Sequence, residues 1–160
     1  MDFYYPNFNN DMWRILGIVF YGERERFIVP GKKCFDREKI VDFLSCAGIG
    51  IYDSAEAVNR LKGNASDAFL EIAVPTDIRK LLSRIPECGA VVTTGTLATE
   101  TVADSLGIEA PPVGGKVPFS VCGGELSLYR MPSSSRAYPL VLEKKVEAYR
   151  KMFSELEMVH

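Results

Sequence analysis

Apolar residues recur at helical spacing through Met12-Trp-Arg-Ile-Leu-Gly-Ile-Val-Phe20, directly after Asn9 and Asn10, whose short amides suit the capping position of a helix N-terminus. Asp36-Arg-Glu-Lys-Ile-Val-Asp-Phe-Leu-Ser-Cys-Ala-Gly48 repeats the pattern, with Asp at the start and Gly just past the end. Ile49-Gly-Ile-Tyr-Asp53 then reads as a short buried strand, so the two together form an αβ unit. Ser54-Ala-Glu-Ala-Val-Asn-Arg-Leu61 is compatible with a helix, and Lys62-Gly-Asn-Ala-Ser-Asp67 is a polar break with the composition of a site loop. Thr76–Ile85 predicts a capped amphipathic helix, Ala90–Thr94 a strand ending at Gly95, and Thr96–Leu106 a helix stopped by Gly107. Val117–Cys122 and Glu125–Met131 flank Gly123-Gly124, a pair suited to the tight turn of a hairpin. A last helix is predicted from about Pro139 to about Glu157, with proline at its first position.

Strand, glycine and helix in this order predict an α/β fold with a doubly wound, mainly parallel sheet. In such sheets ligands lie beyond the carboxyl ends of the strands, which would bring Asp53, Gly95 and Ser133–Ser135 to one rim. The length, 160 residues with 47% hydrophobic content, suits a single domain over residues 1–160. A net charge of -2 argues against indiscriminate coating of nucleic acid but leaves room for a local basic strip.

Candidate chemistry concentrates at the two ends. Phe3-Tyr-Tyr-Pro-Asn-Phe-Asn-Asn-Asp-Met-Trp13 crowds aromatics and amides ahead of a helix, and Leu128-Tyr-Arg-Met-Pro-Ser-Ser-Ser-Arg-Ala-Tyr-Pro139 runs from a strand into a hydroxyl-rich loop. Ser133, Ser134 and Ser135 with their backbone amides would make a neutral phosphate cradle, flanked in charge by Arg130 and Arg136; a helix-capping loop fits the same residues. Tyr4, Tyr5, Phe8 and Trp13 serve equally as core, with Asn10 as a cap. Lys144, Lys145, Arg150 and Lys151 suit either a strip that tracks a nucleic-acid backbone or a solvated helix face, and the solvated face is the expectation for most of them. Four separated cysteines without a CxxC pair, and a lone histidine at position 160, point away from a metal site and from His-dependent hydrolysis. With neither a basic leader nor a long apolar run, the expectation is a cytoplasmic protein without a membrane span.

Taken together, the motifs resemble the uracil-DNA glycosylase superfamily, and specifically its hypoxanthine-DNA glycosylase-like branch, over nearly the whole chain. Tyr4-Tyr5-x-x-x-x-Asn10-x-Met12-Trp13 resembles that branch's Tyr-Tyr…Asn-x-Phe-Trp motif, and Met131-Pro-Ser-Ser-Ser135 its Leu-Pro-Ser-Thr-Ser loop. Ile51-Tyr-Asp53 falls where relatives end a strand with a base-reading Asn or Asp, and Thr94-Gly95-x-x-Ala98 matches a shared strand-to-helix glycine. The resemblance implies a three-layer αβα fold and a monofunctional DNA glycosylase that flips out a deaminated base, uracil or hypoxanthine, and hydrolyses its N-glycosidic bond without cofactor or metal. It implies Asn10 as the catalytic amide, acting on water or on the leaving base. Tyr5, Asp53 and Asn64 would bind the base; Gly95, Ser133, Ser134, Ser135 and Arg136 would bind DNA, with Arg136 near the gap the base leaves. The family's first strand, ending in Gly-x-x-Pro, has no counterpart before Tyr4. The expectations that follow are an unfilled strand position beside Ile49–Asp53 and Ala90–Thr94 and, as the alternative function, an inactive truncated relative that binds DNA or a free base. A flavodoxin-like nucleotide-binding domain fits the fold but leaves both motifs unused.

Overall fold

The computed structural model describes residues 3–53, 55–60, 70–121 and 123–159. Among them the chain forms a mixed α/β structure of helices α1 (Met12–Tyr21) and α2 (Arg37–Ala47), strands β1 (Ala55–Arg60) and β2 (Leu70–Pro75), helix α3 (Ile78–Ser83), strand β3 (Ala90–Thr94), helix α4 (Thr96–Leu106), strands β4 (Lys116–Val121) and β5 (Gly124–Met131), and helix α5 (Leu142–Glu155). These elements divide between two compact units. Met1–Ile51 with Pro132–His160 make the first, and Tyr52–Met131 the second.

The first unit is built from both ends of the chain. In α2, Asp36 accepts a hydrogen bond from Lys39 N and Gly48 closes the helix in the left-handed region, as the residue types at those two positions dictate. Both helix bounds therefore fall where the sequence placed them. The core joins Trp13, Ile15 and Leu16 of α1, Phe27, Phe43 of α2, and Tyr149, Met152 and Phe153 of α5, with Phe20 edge-on to both Phe43 and Phe153. α5 begins at Leu142 after Val141, three residues later than the proline-led start predicted. Pro139 lies instead in the turns that carry the chain from the serine loop to the helix.

In the second unit β5 is the middle strand of a three-stranded sheet ordered β3-β5-β4, parallel to β3 and antiparallel to β4. The expectation of a mainly parallel sheet is thus corrected. The hairpin turns one residue earlier than the expected Gly123-Gly124 connection: Gly124 already opens β5, paired with Val121, and Gly123 at φ 78° precedes it in the reversal that makes the β4–β5 pairing antiparallel. Pro118, which has no N–H to give a ladder, sits on the outer strand β4 as its chemistry requires. Leu82, Val102, Ala103, Leu106, Phe119 and Leu128 form the apolar cluster of this unit.

Two further expectations fail here. Ile49–Asp53 forms no strand: after the left-handed Gly48 the segment holds a second glycine, Gly50, and Tyr52 is 58% exposed, so the apolar run is too short and too wet to be a buried strand. With it goes the expected parallel pairing of that segment with Ala90–Thr94, whose parallel partner is β5. The segment from Ala55, compatible with a helix by pattern, is strand β1, paired antiparallel to β2 with irregular register between Ala55 and Val58. A long-range ladder overrides the weak helical propensity of a short Ala- and Glu-containing run. Asn64 and the Lys62–Asp67 loop lie outside the described residues, as do Cys122 and His160.

Candidate functional site

The first unit brings the two terminal motifs into contact. Asn10 and Ser135 form an antiparallel backbone bridge, and Asp11 N donates to Ser134 O at 2.9 Å. Asn10 itself is placed at the start of α1, where its Oδ1 accepts from Met12 N at 2.9 Å. Only oxygen can accept from a backbone N–H, so this bond fixes the side-chain orientation and leaves Nδ2 as its donor end. The N-cap of α1 is Asp11, whose side chain makes no capping bond; Asn10, expected as a cap, stands one residue earlier and closes an Asx turn onto the first helical N–H, with its amide nitrogen turned the other way.

The serine loop does not cap α5. Ser133 Oγ accepts from Ser135 N and Ser135 Oγ accepts from Ala137 N, each at 3.2 Å, so the hydroxyls turn the loop on itself in the manner of consecutive serine turns. Its carbonyls are held from outside: Pro132 O accepts from the buried Tyr149 hydroxyl at 3.2 Å, Ser134 O from Asp11, and Ser135 O from Lys145 Nζ at 2.8 Å. Ser134 is buried, while Ser133 and Ser135 are half-buried.

Charge around this junction is lopsided. The buried Asp11 carboxylate accepts from Arg14 at 3.1 Å and from Arg136 Nε at 3.2 Å, and it also attracts the Lys145 ammonium. Three cations therefore share one carboxylate, leaving a local positive surplus in a chain of net charge -2. Burial, and then repulsion from Arg136, lowers the pKa of Arg14, but a guanidinium stays charged regardless. Arg14 is further held by Phe8 O at 2.8 Å and lies 4.4 Å over the Phe8 ring. Lys145 is lowered first by burial, against the pull of Asp11. Burial, with the neighbouring Tyr5 phenol, pushes Tyr149 well above its ordinary value and keeps it a neutral donor.

Tyr5 lies in this group through that proximity to Tyr149 and through Trp13, whose Nε1 donates to the carbonyls of both Tyr4 and Tyr5 at 3.2 and 3.1 Å. The indole clamp holds Tyr5 at φ 53°, a left-handed conformation that a bulky side chain rarely adopts, and the Tyr5 ring stands edge-on to Trp13. A recess of roughly 200 Å³ beside Tyr4 and Trp13 is walled by Phe3, Ile40 and Leu44. Arg37 is the one charged side chain on its wall, and the remaining surface is mainly apolar.

No protein-family model matches this chain, and it has no match among curated proteins or solved structures.

The remaining expected site residues belong to the second unit. Asp53 is exposed, ends no strand, and its carbonyl accepts from the Thr76 hydroxyl at 2.6 Å. Gly95 joins β3 to α4 at φ 84°, ψ 167°, a conformation essentially confined to glycine, and its N–H donates to Met131 O at 3.3 Å. Arg130, expected to flank the serines, is engaged within the second unit by Pro111 O at 3.2 Å and Thr96 Oγ1 at 3.0 Å.

Asp11, Arg14 and Tyr149 were not among the residues singled out by motif, and Lys145, grouped with lysines and an arginine expected mostly on a solvated helix face, is buried instead. A signal for Lys145 existed. It stands four residues before Tyr149 and seven before Met152, on the stripe that α5 buries, where a lysine is out of pattern. Cys34, Cys46 and Cys88 are free thiols, and among the described residues no group of three or more His, Cys, Asp or Glu side chains gathers at metal-binding distance. Among the described residues no helix is long and apolar enough to cross a membrane.

Proposed function

We propose that this chain is a monofunctional DNA glycosylase of the uracil-DNA glycosylase superfamily's hypoxanthine-DNA glycosylase-like branch, acting on a deaminated base in base excision repair and built on that family's three-layer αβα plan. The observation that carries the reading is the Asn10–Ser135 backbone bridge, which joins the two motifs from opposite ends of the sequence in one polar, cation-rich junction. A core gains little from such a junction, because burying Asp11, Arg14 and Lys145 costs solvation free energy that apolar side chains would not. A nucleic-acid site gains a phosphate-attracting field and fixed backbone donors.

In this reading a nucleotide is extruded from DNA and its base meets Tyr5 and Asn10. The C1′–N bond breaks with its electron pair leaving on the base, while water forms the C1′–O bond and its proton ends on the departing base. With Oδ1 committed to Met12 N–H, Asn10 acts through Nδ2, donating to the anionic base as charge develops there. The serine loop and Arg136 hold the DNA backbone.

The test is release of free base from oligonucleotides bearing uracil, hypoxanthine or xanthine, in single- and double-stranded form, scored by alkali cleavage at the abasic site. Release of at least one base is the expected result. Tight binding without release would favour the second reading, a DNA- or base-binding relative in which Asn10 serves only to close the turn into α1.

A further inference from the structure

Arg136 is anchored by its inner nitrogen. In Arg14, Arg79 and Arg130 the terminal nitrogens bond main-chain carbonyls: Phe8 O and Asn10 O, Ser120 O and Leu106 O, and Pro111 O respectively. Arg136 instead donates from Nε to Asp11 Oδ1 at 3.2 Å, and its two terminal nitrogens bond no described residue. Its side chain is 47% exposed, while that of Asp11 is 9% exposed. The guanidinium plane is thus tied to a buried carboxylate with its outer edge open, the edge that meets a phosphate through two parallel hydrogen bonds.

Folding does not call for this pair. Asp11 already accepts from the buried Arg14 at 3.1 Å and attracts Lys145 as well, and a further half-exposed partner adds little stability in water. Arg136 also repels both Arg14 and Lys145, so the junction holds more cationic charge than its one carboxylate balances. A second anion is what it lacks. The resemblance placed Arg136 near the gap that an extruded base leaves, but a side chain that enters a base stack must extend away from the protein, and this one would first have to give up its carboxylate.

We propose that Asp11 is a positioning residue that holds Arg136 by Nε, so that the terminal nitrogens clamp one DNA phosphate and the side chain stays out of the base gap. This rests on the reading of the junction as a DNA-binding site. The sign of one substitution separates the role from bulk electrostatics. Deleting a negative charge beside DNA ordinarily tightens binding, because repulsion from the phosphates is removed. Since Asp11 works through Arg136, deleting its charge loosens binding instead.

Binding to a uracil-containing duplex is measured across a range of salt concentrations for the wild-type chain, Asp11→Asn, Arg136→Leu, Arg136→Lys and the double variant Asp11→Asn with Arg136→Leu, with melting temperatures alongside. Arg136→Leu is expected to bind roughly tenfold more weakly and to reduce the slope of log K against log salt by about 1, the signature of one lost phosphate contact. A gap-filling role would leave affinity and slope near wild type, since leucine is itself an effective wedge, and that result overturns the clamp. Arg136→Lys keeps the charge without the two-pronged edge, so affinity should fall severalfold at an unchanged slope. Asp11→Asn retains an oxygen acceptor and should bind severalfold more weakly, with no further loss once Arg136 is replaced by leucine. Unchanged or tighter binding by folded Asp11→Asn overturns the positioning role. Where that variant melts below the assay temperature, Arg136→Lys decides: binding equal to wild type overturns the proposal, and weaker binding at the same slope upholds it. A wild-type chain that binds the duplex but releases no base overturns the glycosylase reading alone, since every comparison is read from binding; one that binds no duplex overturns both.

Discussion

Among the described residues the buried polar side chains are Asp11, Arg14, Ser134 and Lys145 in the unit formed by the two chain ends, and Thr76, Thr93 and Thr99 in the unit formed by the middle of the chain. The second set is neutral and locally satisfied: Thr99 Oγ1 donates to Gly95 O at 2.7 Å and lies 2.8 Å from Thr93 Oγ1. Arg130 departs from this only in part, with Nε buried and unpartnered while its terminal nitrogens are engaged. Hydroxyls of this kind cost little to bury once they are paired, and they tie a glycine turn to its helix. Charges cost far more to bury, so a unit that keeps three of them around one loop spends stability on something other than folding. That contrast locates the candidate chemistry in the first unit and a mainly structural network in the second.

The contrast breaks most visibly at Asp11. Removing it leaves Arg14, 3% exposed, without its counter-charge, so Asp11→Ala is expected to lose about 3–5 kcal/mol in urea denaturation. A loss below about 1 kcal/mol would show that the carbonyls of Phe8 and Asn10 suffice for the guanidinium. Leu128→Ala probes the other unit at a fully buried apolar position and should cost about 2–5 kcal/mol while the folded protein keeps its DNA affinity. Equal damage to affinity would blur the division between the units.

Asn10→Asp sharpens the division within the site. It keeps an oxygen to accept from Met12 N–H and deletes the amide donor, so base release should fall about 100-fold with stability changed by less than about 1 kcal/mol. Unchanged release kinetics would reduce Asn10 to a turn residue. Asn10→Ala, in contrast, should lose both release and the hydrogen bond to Met12 N, worth about 1 kcal/mol.

Smaller effects separate charge from hydroxyl. Burial holds the folded-state pKa of Lys145 below the ordinary 10.5, so between those values the unfolded chain carries the extra proton and stability rises with pH. Lys145→Met should abolish that rise when urea midpoints are measured from neutral pH to about 10. Above 10.0 the raised Tyr149 acts oppositely, because the folded chain then retains a proton that the unfolded chain loses, and stability falls. Thr99→Val, which removes the paired hydroxyl of the second unit, should cost only about 1 kcal/mol at any neutral pH. A much larger loss would mean that the hydroxyl network is not the modest tether its neutrality implies.

Chain-local features were legible in the sequence. Asp36 and Gly48 bound α2, Gly95 and Gly107 bound α4, and the β4–β5 hairpin turned at Gly123, one residue before the place expected, because caps and turns are settled by bonds between residues a few positions apart. The motifs at Asn10 and at Ser133–Ser135 were likewise visible as residue types in the wrong place for a core. What only the tertiary structure decided involves distant partners. β1 became a strand because β2 offered it a ladder, and Ile49–Asp53 failed to become one because it found none among the described residues. Lys145 reads as one more surface lysine in a basic helix until the fold sets the Ser135 carbonyl 2.8 Å from its ammonium, and the meeting of Asn10 with Ser135 is likewise written in neither segment alone. Local sequence fixes dihedrals and caps, but the free energy of a buried charge or a paired strand depends on its partner, and the partner is supplied by the fold.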